Sequence, residues 1–295
     1  MPFRLLTKIL KKMNPVKSIL LVTTLALNIA HEQQIKVPAA SPTQTIKQEF
    51  ALSDITIEYS RPSVKNRVIF GDLVPFGKLW RTGANASTKI TFGEDVKLNG
   101  NAVPAGKYAL YTIPGKEEWE IVIHKNLTLW GDGGPDYKPA DDLLHFKVKP
   151  VELPYKVETF TINIADVTNN TANIELLWDK TKVSFAITSD IDGKITKQIE
   201  EALSKDKRPY FDAARYYFDT DKDLKQALEW ASKAVDQSPD AFWVSHLKAK
   251  IQLKLKDYKG AIATAEASMA KAKEKKNNDY VALNEKLIAE AKKGK

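Results

Sequence analysis

The chain has 295 residues, a formal charge of +8 and no cysteine, which excludes disulfides, thiolate metal sites and cysteine nucleophiles. Stability must therefore come from packed interiors, and the length suffices for two domains with one each. The charge is uneven: residues 1–17 hold +5 and residues 241–295 hold +7, which leaves residues 18–240 at −4 and gives a nucleic-acid partner no basic footprint there.

The first segment carries Arg4, Lys8, Lys11, Lys12 and Lys17 without an acid, then the apolar run Ser18 to Ala30. This order is that of a secretory leader, expected over residues 1–30. The apolar run is about half the ~20 residues a membrane-spanning helix needs, so no stable span is predicted and the product is expected to be periplasmic or secreted. Residues 31–45 read as a linker.

From about Ile46 the apolar residues alternate with period two in short runs closed by turn residues, the signature of strands. Ile55, Ile57 and Tyr59 alternate, as do Ile90 and Phe92, then Tyr108, Leu110 and Thr112, then Trp119, Ile121 and Ile123. Further runs cover 144–148, 157–164, 174–178 and 183–187. Asn99-Gly100 supplies the positive backbone angles of a tight hairpin. About ten strands with no helical segment between them predict an antiparallel β-sandwich over residues 46–190. Tyr108 opens a strand directly after Pro104-Ala105-Gly106, as in the tyrosine corner of sandwich folds, so its hydroxyl is expected to bond backbone.

After Asp192-Gly193 the period becomes helical, which predicts a helical domain over residues 191–295 and an α+β chain in two domains. Asp223, Leu224, Ala227, Leu228, Ala231 and Ala234 recur 34 positions later as Asp257, Tyr258, Ala261, Ile262, Ala265 and Ser268. That period, with small residues where two helices cross and Ser238-Pro239 closing the first unit, resembles the tetratricopeptide repeat. Lys248 and Gln252 stand where the second unit would carry an aromatic or leucine. Two units are few for a stable array, so the helices at 195–203 and 280–291 are expected to cap it, or the array leans on the sheets.

Chemistry-bearing residues concentrate in Tyr59 to Ser87, where Arg61, Arg67, Trp80, Arg81 and Asn85 lie among glycines and prolines. Guanidinium forks bind carboxylate, sulfate or phosphate in pairs of hydrogen bonds, and an indole offers a flat face to a ring. Arg61, Trp80, Arg81 and Asn85 are thus candidate ligands for an anionic or sugar-like molecule. The structural alternative ties the arginines to Asp72, Glu94 or backbone carbonyls and puts Trp80 in the core.

Elsewhere the signals are weaker. His124, at a strand end, reads as a solvent-edge histidine, and His145 likewise. Ser60, Ser63 and Ser87 lack a nucleophile elbow and a positioned base. Asp132, Asp136, Asp141 and Asp142 favour turns in a glycine-rich connection; as acids they are also the basis of an alternative reading, a glycan hydrolase. No catalytic residue, metal or cofactor is predicted.

The motifs Ser60-Arg61-Pro62-Ser63-Val64-Lys65, Leu73-Val74-Pro75-Phe76-Gly77, Trp80-Arg81-Thr82-Gly83-Ala84-Asn85 and Pro104-Ala105-Gly106-Lys107-Tyr108 resemble a bacterial secreted family known as domain of unknown function number 2911. The resemblance covers about residues 46–188; Trp119 and Trp130-Gly131 continue it. It implies export and a helical tail and leaves the activity open. The family pattern has asparagine where this chain has His124. Together these readings predict a non-enzymatic envelope protein, with a ligand surface on the sheets and a protein-binding face on the helical repeats.

Overall fold

The computed structural model describes residues 37–205 and 208–294. The expected leader and the first part of the linker lie outside them. Two compact units divide the chain, one of sheets that ends at Ile187 and one of helices from Thr188 onward, to which the turn Thr168–Asn170 also belongs.

Among the described residues, ten strands make two antiparallel sheets. β1 (Thr43–Phe50), β2 (Ser53–Ser60), β3 (Thr88–Phe92), β6 (Gly106–Ile113), β7 (Trp119–His124) and β8 (Asp142–Val148) form a six-stranded sheet in the order β1-β2-β3-β6-β7-β8. β4 (Val96–Leu98), β5 (Asn101–Val103), β9 (Val151–Ala165) and β10 (Thr171–Thr188) form the second, in the order β5-β4-β10-β9. Alternation decides which side chains go in. Ile55, Ile57, Ile90, Leu110, Ile121 and Ile123 of the first sheet join Phe160, Ile174, Val183, Phe185 and Ile187 of the second in one apolar core.

Local features follow the sequence. Asn99 and Gly100 have φ of 47° and 87° and close the β4–β5 hairpin. The Tyr108 hydroxyl donates to the Pro104 carbonyl at 3.0 Å, as the corner motif requires. One expectation changes: the runs at 174–178 and 183–187 are a single strand, β10. Asp179 lies between them at φ 51°, where the pairing with β9 slips register twice, so the bulge bends the ribbon without ending it. β9 is an outer strand that contains Pro154; farther along, Val64 donates to Glu158 and Phe160 donates to Pro62, which pairs a short segment to its open flank.

Six helices form the second unit: α1 (Asp192–Ser204), α2 (Tyr210–Asp219), α3 (Leu224–Gln237), α4 (Phe242–Lys254), α5 (Tyr258–Glu274) and α6 (Asn278–Lys293). The 34-residue correspondence has structural content. Asp223 and Asp257 are the N-caps of α3 and α5, the first accepting from the Lys225 and Gln226 N–H groups and the second from the Gly260 N–H. Ala227, Ala231, Ala234, Ala261, Ala265 and Ser268 are all buried. Ser268 is polar because its hydroxyl donates to the Phe242 carbonyl at 2.7 Å and accepts from Asn284, whose amide oxygen meets His246. This buried chain ties α4, α5 and α6. No helix among the described residues is long and apolar enough to cross a membrane.

Candidate functional site

The expected cluster is split by the fold. Trp80 precedes β3 and pairs its backbone with Thr112, which turns the indole inward. It stacks on Trp178 at 5.7 Å between centroids, meets Phe160 at 5.2 Å and is 8% exposed, while its N–H donates to the Gly83 carbonyl. The flat face is therefore spent in the core, as the structural alternative holds. Arg61 is committed too: Nε donates to the Phe160 carbonyl at 3.0 Å and Nη2 to Thr161 Oγ1 at 2.8 Å. Arg67 donates to the carbonyls of Val64 and Ser63.

Arg81 is placed differently. Its Nε is buried without a hydrogen-bond partner, and Nη1 passes Gly131 so closely that a Cβ there would lie 3.1 Å away. The turn that holds it is strained. Thr82, a β-branched residue, has φ 52°, and Asn85 has φ 61°. Gly83, at φ 152°, has room for no side chain, since a Cβ would stand 2.9 Å from the Ser60 carbonyl oxygen. Thr88 Oγ1 donates to the Thr82 carbonyl at 2.6 Å, and Thr82 Oγ1 to Thr112 Oγ1 at 3.1 Å, so surrounding bonds over-determine the turn. Such strain concentrates at functional sites.

Two depressions flank this turn. An open cleft of about 740 Å³ has Arg67, Lys78 and Arg81 on its walls with Asp132 and Tyr137, and Trp80, Trp178 and Val74 at its apolar base. Three cations against one acid make it electropositive. The second, of about 360 Å³, is lined by Glu58, Ser60, Asn85, Ser87, Lys89 and Trp130. Asn85 Nδ2 donates to Ser60 Oγ at 3.2 Å there. Burial, and then the Lys107 charge, lower the Lys89 pKa. Trp130 is 70% exposed and supplies the open indole face that Trp80 does not. Sequence reasoning placed Trp130 in a glycine-rich connection and in the family resemblance but not among the ligand-binding residues; its lack of any alternating apolar partner was the available signal.

Behind the cleft lies a network the sequence did not show. His124 is fully buried, which corrects the solvent-edge reading: the connection 125–141 folds over it, and Tyr137 stacks on its ring at 4.6 Å. Its Nδ1 meets Asp142 Oδ1 at 2.7 Å, Tyr137 donates to the same oxygen at 2.6 Å, and His145 Nε2 meets Oδ2 at 2.8 Å. His145 Nδ1 continues to Glu120 at 2.8 Å. Burial alone would raise the Asp142 pKa, but the hydrogen bonds from Tyr137, His145 and His124 outweigh it and hold the carboxyl below its usual range. For His145, burial is outweighed in the same way by Asp142 and Glu120, which raise its pKa. Burial first, then Asp142, push the Tyr137 phenol far up. Asp142 is therefore engaged on both oxygens, whereas Asp132 and Asp136 are exposed.

Neither the curated proteins nor the solved structures yield a match to this chain. Residues 41–187, which hold the strained turn, both depressions and the Asp142 network, match the family described as a protein of unknown function (DUF2911).

Proposed function

We propose that the sheet unit is a recognition module for an anionic or sugar-like ligand, which enters the cleft of Arg67, Lys78 and Arg81. Recognition rather than turnover is the chemistry this geometry supports. The observation that carries the reading is Arg81: a guanidinium with a buried, unpartnered Nε, held by a strained turn in an electropositive cleft. Asn85 and the exposed Trp130 serve the neighbouring depression as polar and stacking groups for the less charged part of such a ligand. In this reading the two sheets act as a sandwich, the helices act as a tetratricopeptide-like stack that holds a protein segment, and the protein works in the cell envelope after export.

Calorimetric titration of the full chain with sulfate, phosphate, galacturonate and galactose tests it. An anion should bind and a neutral hexose bind more weakly, with ligand at a hundredfold over Kd adding about 2.7 kcal/mol of stability. Arg81→Ala should abolish the heat without lowering the melting temperature. If no anion binds, or if Arg81→Ala binds as wild type does, the reading fails.

A further inference from the structure

The helical unit carries a charged groove that the repeat pattern does not explain. It holds about 680 Å³ beside α4 and α6, over an apolar floor that includes Phe218, Leu253, Leu283 and Leu287. Lys250, Lys254, Lys256, Lys286 and Lys293 rim it, against the single acid Glu290. His246 adds little charge at neutral pH, because burial lowers its pKa and outweighs the Asn284 hydrogen bond that raises it. Lys254 contacts Asp221, whereas Lys250, Lys256, Lys286 and Lys293 form no ion pair among the described residues.

Two ordinary explanations fall short. Lysines in a last helical turn offset the helix dipole, which accounts for Lys254 and Lys293, but Lys250 and Lys286 stand in earlier turns of α4 and α6. An aromatic face also attracts ammonium groups, and the Nζ atoms of Lys250 and Lys254 do lie 4.7 and 5.0 Å from the Phe218 ring centre. One ring face accounts for the placement of two ammonium groups but leaves five like charges converging on one opening, which is unfavourable until an anion enters.

We propose that this groove binds an acidic peptide segment bearing an apolar side chain. Lys250 and Lys254, one turn apart on α4, stand about 6 Å apart, and alternate side chains of an extended chain repeat at about 6.6 Å, so two acids two residues apart match that pair, while Lys286 and Lys293, about 10 Å apart along α6, match acids about three residues apart. The stripe from Leu283 to Lys293 rises about 15 Å, the span of four or five extended residues. An apolar side chain between the acids reaches the leucine and phenylalanine floor. A lipid headgroup supplies its charge at one end only, which leaves the remaining lysines unmatched.

This inference rests on the reading that the helices hold a protein segment, and the test separates the two. Phage-displayed random octapeptides are selected on the full chain and on a Lys250→Glu/Lys286→Glu variant of unchanged melting temperature. Wild type should enrich peptides rich in Asp and Glu around a Leu, Phe or Met. The synthesised consensus should bind at least about tenfold more weakly to the variant, and more weakly as salt rises from about 50 to 300 mM. Enrichment without acidic bias would preserve peptide holding and overturn this proposal. No enrichment would overturn both, and equal binding of the consensus to the variant would overturn this proposal alone. Binding of phosphatidylglycerol vesicles without peptide enrichment would reassign the groove to a lipid surface.

Discussion

Replacing Asp142 strikes a carboxylate that three side chains share. In Asp142→Ala, the buried His124 Nδ1 and the part-buried Tyr137 hydroxyl lose their acceptor and His145 keeps only Glu120. Each stranded buried polar group costs about 1–3 kcal/mol, so the two inner groups together make the loss about 4 kcal/mol. For a unit of this size that lowers the melting temperature by about 8–16 °C. Asp142→Asn keeps an oxygen for His124 and Tyr137 and turns its amide to His145, losing only the charge-assisted part, about 1–2 kcal/mol. The pH dependence separates the contributions. Asp142 has a lowered pKa, so its stabilisation is complete above the ordinary carboxylate value of about 3.9 and fades as pH falls through the folded value. His145 has a raised pKa, so its share is complete below about 6.5 and fades as pH rises through the folded value. The gap between wild type and Asp142→Asn is therefore widest between about pH 4 and 6.5. Near-UV circular dichroism reports the sheet unit through its buried tryptophans, and hydrogen exchange over residues 119–148 localises the loss. A melting temperature for Asp142→Ala within about 2 °C of wild type, or a gap between wild type and Asp142→Asn that shrinks neither well below about pH 4 nor well above about pH 6.5, would refute the reasoning.

Arg61→Ala should destabilise the sheet unit by about 1–3 kcal/mol in denaturant titration, because Phe160 and Thr161 lose a charged donor, while Arg81→Ala stays within about 0.5 kcal/mol. Tyr108→Phe removes the corner hydrogen bond and should cost about 1 kcal/mol by the same measurement. Gly83→Ala forces a Cβ against the Ser60 carbonyl and should either lower the yield of folded protein or cost more than about 1 kcal/mol. Ser268→Ala breaks the buried chain from Phe242 to Asn284 and should cost about 1–3 kcal/mol, read as faster hydrogen exchange in α4 and α6.

Much of the scaffold was legible because it is written locally. Alternation located the strands, Asn99-Gly100 the tight hairpin, Tyr108 the corner, and the recurrence of Asp223 at Asp257 marked two helix starts, each by a mechanism that acts within a few residues. The site was less legible because exposure is a tertiary property. Trp80 and Trp130 each precede a short glycine-containing turn, yet one stacks on Trp178 and the other faces solvent. His124 ends its strand as an edge residue would, and only the return of Tyr137 over its ring buries it. The Asp142 network draws Glu120 and His124 from β7 and His145 from β8, partners that meet through cross-strand register and leave no spacing signal.

The unpaired flank of β9 bears on how the molecule behaves in company. An outer strand of fifteen residues is a template on which a second copy can propagate hydrogen bonding. Pro154 withholds one amide proton from the first half of that template, and the Pro62–Val64 segment occupies part of the second. What remains open on this flank is short and interrupted, which shortens the template it offers to a second copy.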